Sequence, residues 1–296
     1  MSAEAVIALP AGGRASSIGL LRNLWIAPPL LILVALFFYP FALIVMQALG
    51  GDRHVFSLAN FEQVLHTRQF ASGIYNTIQI AVAASTGCLA LGFIFSLVIA
   101  FVPFPGARFL GRLIDTFISL PTFLVALAFT FVYGSAGLVN QSLMQTLHLQ
   151  FPPLDFLYTR WGVILSEITV YTPFIMRPLL ACFSQLDSAQ IEVASSLGAR
   201  PWRIIRQIIL PAALPSLLAG GSLCLLLTVN EFGIVLFIGA KDVITLPLLI
   251  YNKAIQEFDY TTACVIAVVN IALSLGLYAC YRAILSFFGG RRAALG

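Results

Sequence analysis

Six stretches of this sequence are each long and apolar enough to cross a lipid bilayer: residues 24–49, 74–102, 113–133, 161–183, 215–239 and 261–286. A hydrocarbon core about 30 Å thick needs roughly 20 apolar residues at 1.5 Å of rise each. Lipid offers the backbone no hydrogen-bond partner, so each stretch is expected to be a helix. Composition agrees, because only 9% of the residues are charged and 60% are hydrophobic, where a soluble chain is about 25% charged. The expected fold class is an all-α membrane protein with six transmembrane helices.

Arg14 and Arg22 precede the first apolar run, as they would in a secretory leader. The run is much longer than the apolar core of a leader, about 7–15 residues, and no clear small-residue cleavage site follows it. It reads as a retained helix. Gly50-Gly51-Asp52, Pro103-Phe104-Pro105-Gly106 and Pro152-Pro153 punctuate the connections. With both termini on one side, that side collects Arg14, Arg22, Arg108, Arg112, Arg177, Arg200, Arg203, Arg206, Arg282, Arg291 and Arg292. The other side holds Arg53, Arg68, Arg160, Lys241 and Lys253. Positive charge gathers on the cytoplasmic side of membrane proteins, which predicts cytoplasmic N- and C-termini.

Several chemistries are excluded or unsupported. A net charge of +4 is small for a nucleic-acid surface. The five cysteines, Cys88, Cys182, Cys224, Cys264 and Cys280, are odd in number and scattered, which fits neither a disulfide framework nor a metal site. They read as small core residues. His54, His66 and His148 lack metal-ligand spacing. There is no His-Glu-x-x-His helix and no Gly-rich phosphate loop ahead of Lys241 or Lys253. No catalytic residue, metal or cofactor is expected.

The connection between the fourth and fifth stretches carries the most local information. Asp187 suits an N-cap, and Gln190 three residues on completes a capping-box pattern. Ile191, Ala194 and Leu197 repeat at helical spacing, and Gly198 falls where a helix ends in a left-handed residue. Pro201 suits the first turn of a second helix, which Pro211 and Pro215 are expected to interrupt before the next span. Two short helices joined by a tight bend make a rigid protrusion, suited to transmitting force to a soluble partner. The trio Arg200, Arg203 and Arg206 reads first as positive-inside charge facing anionic lipid.

This loop resembles the cytoplasmic signature of the transmembrane subunits of binding-protein-dependent ABC importers. That signature is Glu-Ala-Ala, three residues, Gly, nine residues, Ile, one residue, Leu-Pro. Here Glu192, Val193, Ala194, Gly198, Ile208, Leu210 and Pro211 follow it with every spacing kept and Val193 as the one departure. The resemblance implies a type I importer permease fold, with a coupling helix between helices 4 and 5. It also implies a permease core over residues 74–286, preceded by an accessory segment 1–73 and followed by a tail 287–296. The implied partners are ABC ATPase subunits, a periplasmic substrate-binding protein and a second permease, more readily a different one than a second copy. Three further runs, beginning at Phe117, Ala128 and Gly220, are similar to permeases of 2-aminoethylphosphonate importers. Importers for iron, thiamine, polyamines or sulfate share the loop, so the loop does not separate substrates. An ion-gradient-driven carrier is the competing class, but such a carrier has no use for a coupling loop.

Two carboxylates fall inside the apolar stretches, Glu167 and Glu231, and Asn230 and Thr228 lie beside the second. A charge at mid-membrane costs at least about 2.5 kcal/mol on insertion scales, so such groups face an interior or a watery path. Glu231, Asn230 and Glu167 are the candidates for the translocation path, where Glu231 would meet a substrate ammonium. The competing reading is a structural carboxylate bonded to a neighbouring helix or to the partner permease. Arg177 between Pro173 and Pro178 reads as an interface anchor, ahead of a phosphonate ligand, and Asn270 as an interhelical hydrogen-bonding residue.

Overall fold

A computed structural model describes residues 26–50, 57–241 and 243–293. Arg14, Arg22, Asp52, Arg53 and His54, with the readings that rest on them, lie outside the described residues. The described elements are helical, and six of the helical runs are long and apolar enough to cross a membrane. In chain order they begin with α1 (Ala27–Gly50), α2 (Ala59–Leu65), α3 (Arg68–Phe101), α4 (Ala107–Ile118), α5 (Thr122–Tyr133) and α6 (Leu138–Leu147). Then come α7 (Arg160–Phe183), α8 (Ser188–Ser196), α9 (Pro201–Val229), α10 (Gly233–Ile238), α11 (Leu246–Tyr251) and α12 (Tyr260–Ala293).

The centre of the bundle is the trio α3, α7 and α9. Lipid tails are as apolar as leucine, so close packing rather than exclusion from water must bring such helices together. Small residues make the approach possible. A Cβ on Gly92 of α3 would stand 2.8 Å from Ile175 Cγ2 of α7, inside contact distance. Cys88, Ile175, Leu179, Ala213 and Cys224 are buried around this seam, and the described cysteines are free thiols. A second cluster joins α1, α2, α3, α11 and α12 through Ala48, Phe70, Leu246, Leu249 and Ile266. Within α1 only Ala48 of this cluster is buried, whereas Leu31 and Phe37 are 67% and 74% exposed. That helix leans on α12 at one end and presents the rest of its surface outward.

Two of the expected spans are corrected. The run 113–133 is not one helix: Ser119-Leu120-Pro121 separates α4 from α5, with Pro121 extended at φ −58° and ψ 135°. Proline lacks an N–H and drives the preceding residue out of the helical region, so an apolar run can still break there. The third membrane run starts at Thr122 and reaches Leu147 across the Gly134–Gly137 break. The run 215–239 is also two pieces, because α9 ends at Val229 and α10 begins at Gly233.

The third correction concerns Pro211 and Pro215, which do not interrupt the chain: helix runs from Pro201 to Val229. A π-turn at Ile205–Ile209, closed by the Leu210 amide on the Ile205 carbonyl, sits just ahead of Pro211. The wider turn changes the hydrogen-bond register by one residue, so the missing proline N–H falls where the ladder is already shifted. The last span exceeds expectation at both ends, and Asp259 caps its start by accepting from the Thr262 amide at 3.0 Å.

Candidate functional site

At one end of the bundle, the loop between α7 and α9 is a bent pair of helices. Asp187 caps α8 by accepting from the Ala189 amide at 2.9 Å, rather than from the third-residue amide of a capping box. The Ala199 amide closes on the Ala194 carbonyl at 3.0 Å, and Gly198 holds φ at +79°. A side chain there would meet nothing within 4 Å, so the bend demands glycine for its backbone angle and not for space. Arg200 then turns the chain back to extended geometry and Pro201 opens α9.

The loop rests on the bundle through Leu186, Ile191, Ala194, Ala199, Ile208 and Leu210, which pack on the main core. Glu192 and Pro211 are exposed, and the Glu192 carboxylate has no hydrogen-bonding or ionic partner among the described residues. Val193, Leu197 and Trp202 stand out at 59%, 83% and 71% exposure. In the sequence Val193 reads only as a departure from the signature, and Leu197 shares a helical spacing with Ile191 and Ala194; the fold packs Ile191 and Ala194 on the core and turns Leu197 outward, with Trp202 beyond it. Each is apolar and in the open, on a loop that the core holds from behind.

Further along α9, Asn230-Glu231-Phe232 breaks the helix, and Glu231 gathers three elements. Its Oε1 accepts from Thr122 Oγ1 at the start of α5 at 3.2 Å and from the Ile234 amide in α10 at 2.8 Å. Its Oε2 accepts from Tyr171 Oη of α7. The carboxylate therefore caps a short helix and ties α5 and α7 to it, at 6% exposure. Asn230 is exposed; its Nδ2 donates to the Leu226 carbonyl at 2.8 Å and lies 3.4 Å from Ser274 Oγ. Asn270 of α12 donates to Asn230 Oδ1 at 3.0 Å, the interhelical bond expected of it. Glu167 is 1% exposed within α7, and its Oε2 has no partner among the described residues. It makes no described hydrogen bond to the group around Glu231, although it lies one turn before Tyr171 on α7, and Cys88 Sγ of α3 is 4.0 Å from its carbonyl oxygen.

The end of the bundle opposite the α8 loop is fastened by side chains bonded to backbone. Thr77 Oγ1 accepts from the Leu246 amide at 2.9 Å, and Asn76 donates to the Ile244 carbonyl at 2.9 Å, so α3 holds the segment leading into α11. Asn140, fully buried, donates to the Gly134 and Leu154 carbonyls and accepts from the Leu154 amide. Arg160 reaches Asn76 Oδ1 at 2.8 Å and Gln79 Oε1, and stacks 5.5 Å from the centre of the Tyr75 ring. Arg177 pairs with Asp115 of α4 at 2.6 Å, both exposed. No cluster of three or more metal-binding side chains occurs among the described residues.

Comparison with known proteins agrees with this architecture. The chain is 58% identical over 268 residues to a protein of Salmonella typhimurium, provisionally named 2-aminoethylphosphonate transport system permease protein PhnU, covering 90% of this chain and 94% of that one. It is 32% identical over 203 residues to a Chlorella vulgaris protein provisionally named sulfate transport system permease protein cysT, covering 67% and 73%. Among solved structures, a bacterial ABC transporter involved in alginate import matches with TM-score 0.78 at 18% identity, over 90% of this chain and 94% of that chain. The MetNI methionine ABC transporter, inward facing, matches at 0.55 and 17%, over 73% and 94%. These likenesses give the type I importer permease fold. Residues 91–291 match the model of the binding-protein-dependent transport system inner membrane component. The chain belongs to that family, as a multi-pass inner-membrane transport component rather than an enzyme.

Proposed function

We propose that this chain is one of two permeases in an ATP-driven importer of 2-aminoethylphosphonate. The observation that carries the substrate is the 58% identity to the Salmonella permease across 90% of the chain, the importer loop included. Support for the partners comes from the solved transporters of the same fold and from the open apolar surface at Val193, Leu197 and Trp202. In this reading the α8 loop faces the cytoplasm and seats in an ATPase subunit. Both termini lie on that side, a second and different permease completes the passage, and a periplasmic binding protein delivers the solute at the opposite end. The segment 74–286 is the core that performs the work, with 1–73 accessory to it and 287–296 a tail.

Transport then proceeds by alternating access. ATP closes the ATPase pair, the seated loops approach each other, and the bundle turns its cavity outward; hydrolysis returns it. In physical terms, ATP and the loaded binding protein each favour one of two packed states by their differential contacts. Of the three path candidates, Asn230 is the accessible one and faces the passage. Glu231 stands behind it and fastens the wall, and Glu167 is buried deeper in the same helix layer.

The test is uptake of labelled 2-aminoethylphosphonate by cells lacking this gene, complemented with wild type or with Leu197→Asp at matched membrane levels. Wild type should restore uptake, while the variant inserts normally but loses ATPase co-purification and transport. Failure of wild type to restore uptake would remove the substrate; full transport by Leu197→Asp would remove the docking role of the loop.

A further inference from the structure

Opposite the α8 loop, a cavity of about 680 Å³ opens between three connections, with Ser135, Asp155, Tyr158, Thr159, Arg160 and Lys241 on its walls. These connections are held in fixed relation by hydrogen bonds. Asn140 clasps the Gly134 connection to Leu154, and the Lys241 amide donates to the Tyr158 carbonyl at 3.2 Å. The cavity is therefore walled by fastened backbone rather than by free loops.

Its charge is unusual for a membrane rim. Among the described residues Arg160 bonds the neutral amide oxygens of Asn76 and Gln79 and a tyrosine ring, and its buried Nε has no partner there. The ion pairs among the described residues are Arg177–Asp115 and Lys253–Glu257, so Arg160, Lys241 and Asp155 share one space with none of them ion-paired to another described residue. Two cations and one carboxylate, with the hydroxyls of Ser135, Tyr158 and Thr159 beside them, suit a small molecule that carries an oxyanion and a nearby ammonium.

We propose that this cavity is a receiving site for a small zwitterion, in which Arg160 and Lys241 take the phosphonate oxygens and Asp155 takes the ammonium. The choice of ligand rests on the importer reading above. The same chemistry occurs in the headgroup of phosphatidylethanolamine, and the test separates the two sources.

The purified complex of this chain with its second permease and ATPase subunits is placed in nanodiscs lacking phosphatidylethanolamine, without binding protein. Saturation transfer to the methylene protons of 2-aminoethylphosphonate is then measured. Lys241→Gln and Asp155→Asn are the variants, because both side chains are exposed and free of described side-chain bonds. Wild type should show transfer, and each variant should weaken binding about tenfold, the loss expected for one charge-assisted bond. Ethylphosphonate, which lacks the ammonium, should respond to Lys241→Gln and ignore Asp155→Asn. No transfer to wild type, or equal transfer to all three proteins, overturns the site. Loss of the signal when phosphatidylethanolamine is added assigns the cavity to lipid and overturns the solute. Cellular uptake decides the importer reading separately: wild-type uptake with unaltered variant binding removes the site alone, and ligand transfer without uptake removes the substrate reading alone.

Discussion

The two ends of the bundle differ in what holds them. The α8 loop is supported from one side by apolar packing, and its other side leaves Leu197 and Trp202 in the open. At the opposite end the connections are tied by polar side chains that seek backbone groups: Thr77 to Leu246, Asn76 to Ile244, Asn140 to Gly134 and Leu154. Between them lies Glu231, which gathers three donors onto one carboxylate. Packing alone leaves a surface that another protein can complete. Hydrogen bonds, being directional and saturable, fix the backbone of the tied end from within and leave open only the side-chain charges around its cavity.

Loss of this three-donor tie should have the largest effect. Glu231→Leu strands Thr122 Oγ1, Tyr171 Oη and the Ile234 amide without their acceptor, and each stranded buried donor costs about 1–3 kcal/mol. Thermal unfolding of the purified chain should fall steeply, with Glu231→Gln milder because its amide oxygen still accepts. Equal melting of Glu231→Leu and wild type would place the stability of this region in packing, and the contrast between the ends would dissolve.

The bend at the packed end should be the next most sensitive point. Gly198→Val forces a β-branched residue to φ +79°, where an L-residue costs about 1–2 kcal/mol. Asparagine tolerates that region, so Gly198→Asn should retain most uptake while Gly198→Val loses it about tenfold, with both inserted in the membrane. The open space around the position makes the comparison clean. If both variants transport alike, the backbone angle has no part in coupling.

Thr77→Val removes the side-chain acceptor of the Leu246 amide. A loss of about 1–2 kcal/mol is expected, as for other lost caps, and exchange of that amide with deuterium should quicken by about tenfold. Unchanged exchange would show the segment held by its apolar contacts instead. Arg177→Gln should do least, because an exposed ion pair contributes about 0–1 kcal/mol. A larger drop in melting would make α4 a tied element like those of the opposite end.

Hydropathy made the number of spans legible because lipid constrains composition over twenty or more residues at a time. It was blind at Pro121 and at Asn230, where a helix stops inside an apolar stretch for reasons carried by one or two residues. Gly198 and Asp187 were legible because their partners lie within a turn of them. Glu231 left two readings open for the opposite reason: Tyr171 and Thr122 lie 60 and 109 residues away. Nothing local in the sequence marks those partners. Exposure of Leu197 and Trp202 is likewise a tertiary fact, since only the fold decides which apolar residues the core takes in.

The π-turn ahead of Pro211 has a mechanical consequence. By absorbing a proline that would have split the chain, it leaves one rod of 29 residues from Pro201 to Val229, about 43 Å long at 1.5 Å per residue. A rod of that length is a crank. Tilting it by about 10° at the loop end sweeps its far end through roughly 7 Å, and the far end is where Asn230 and Glu231 begin.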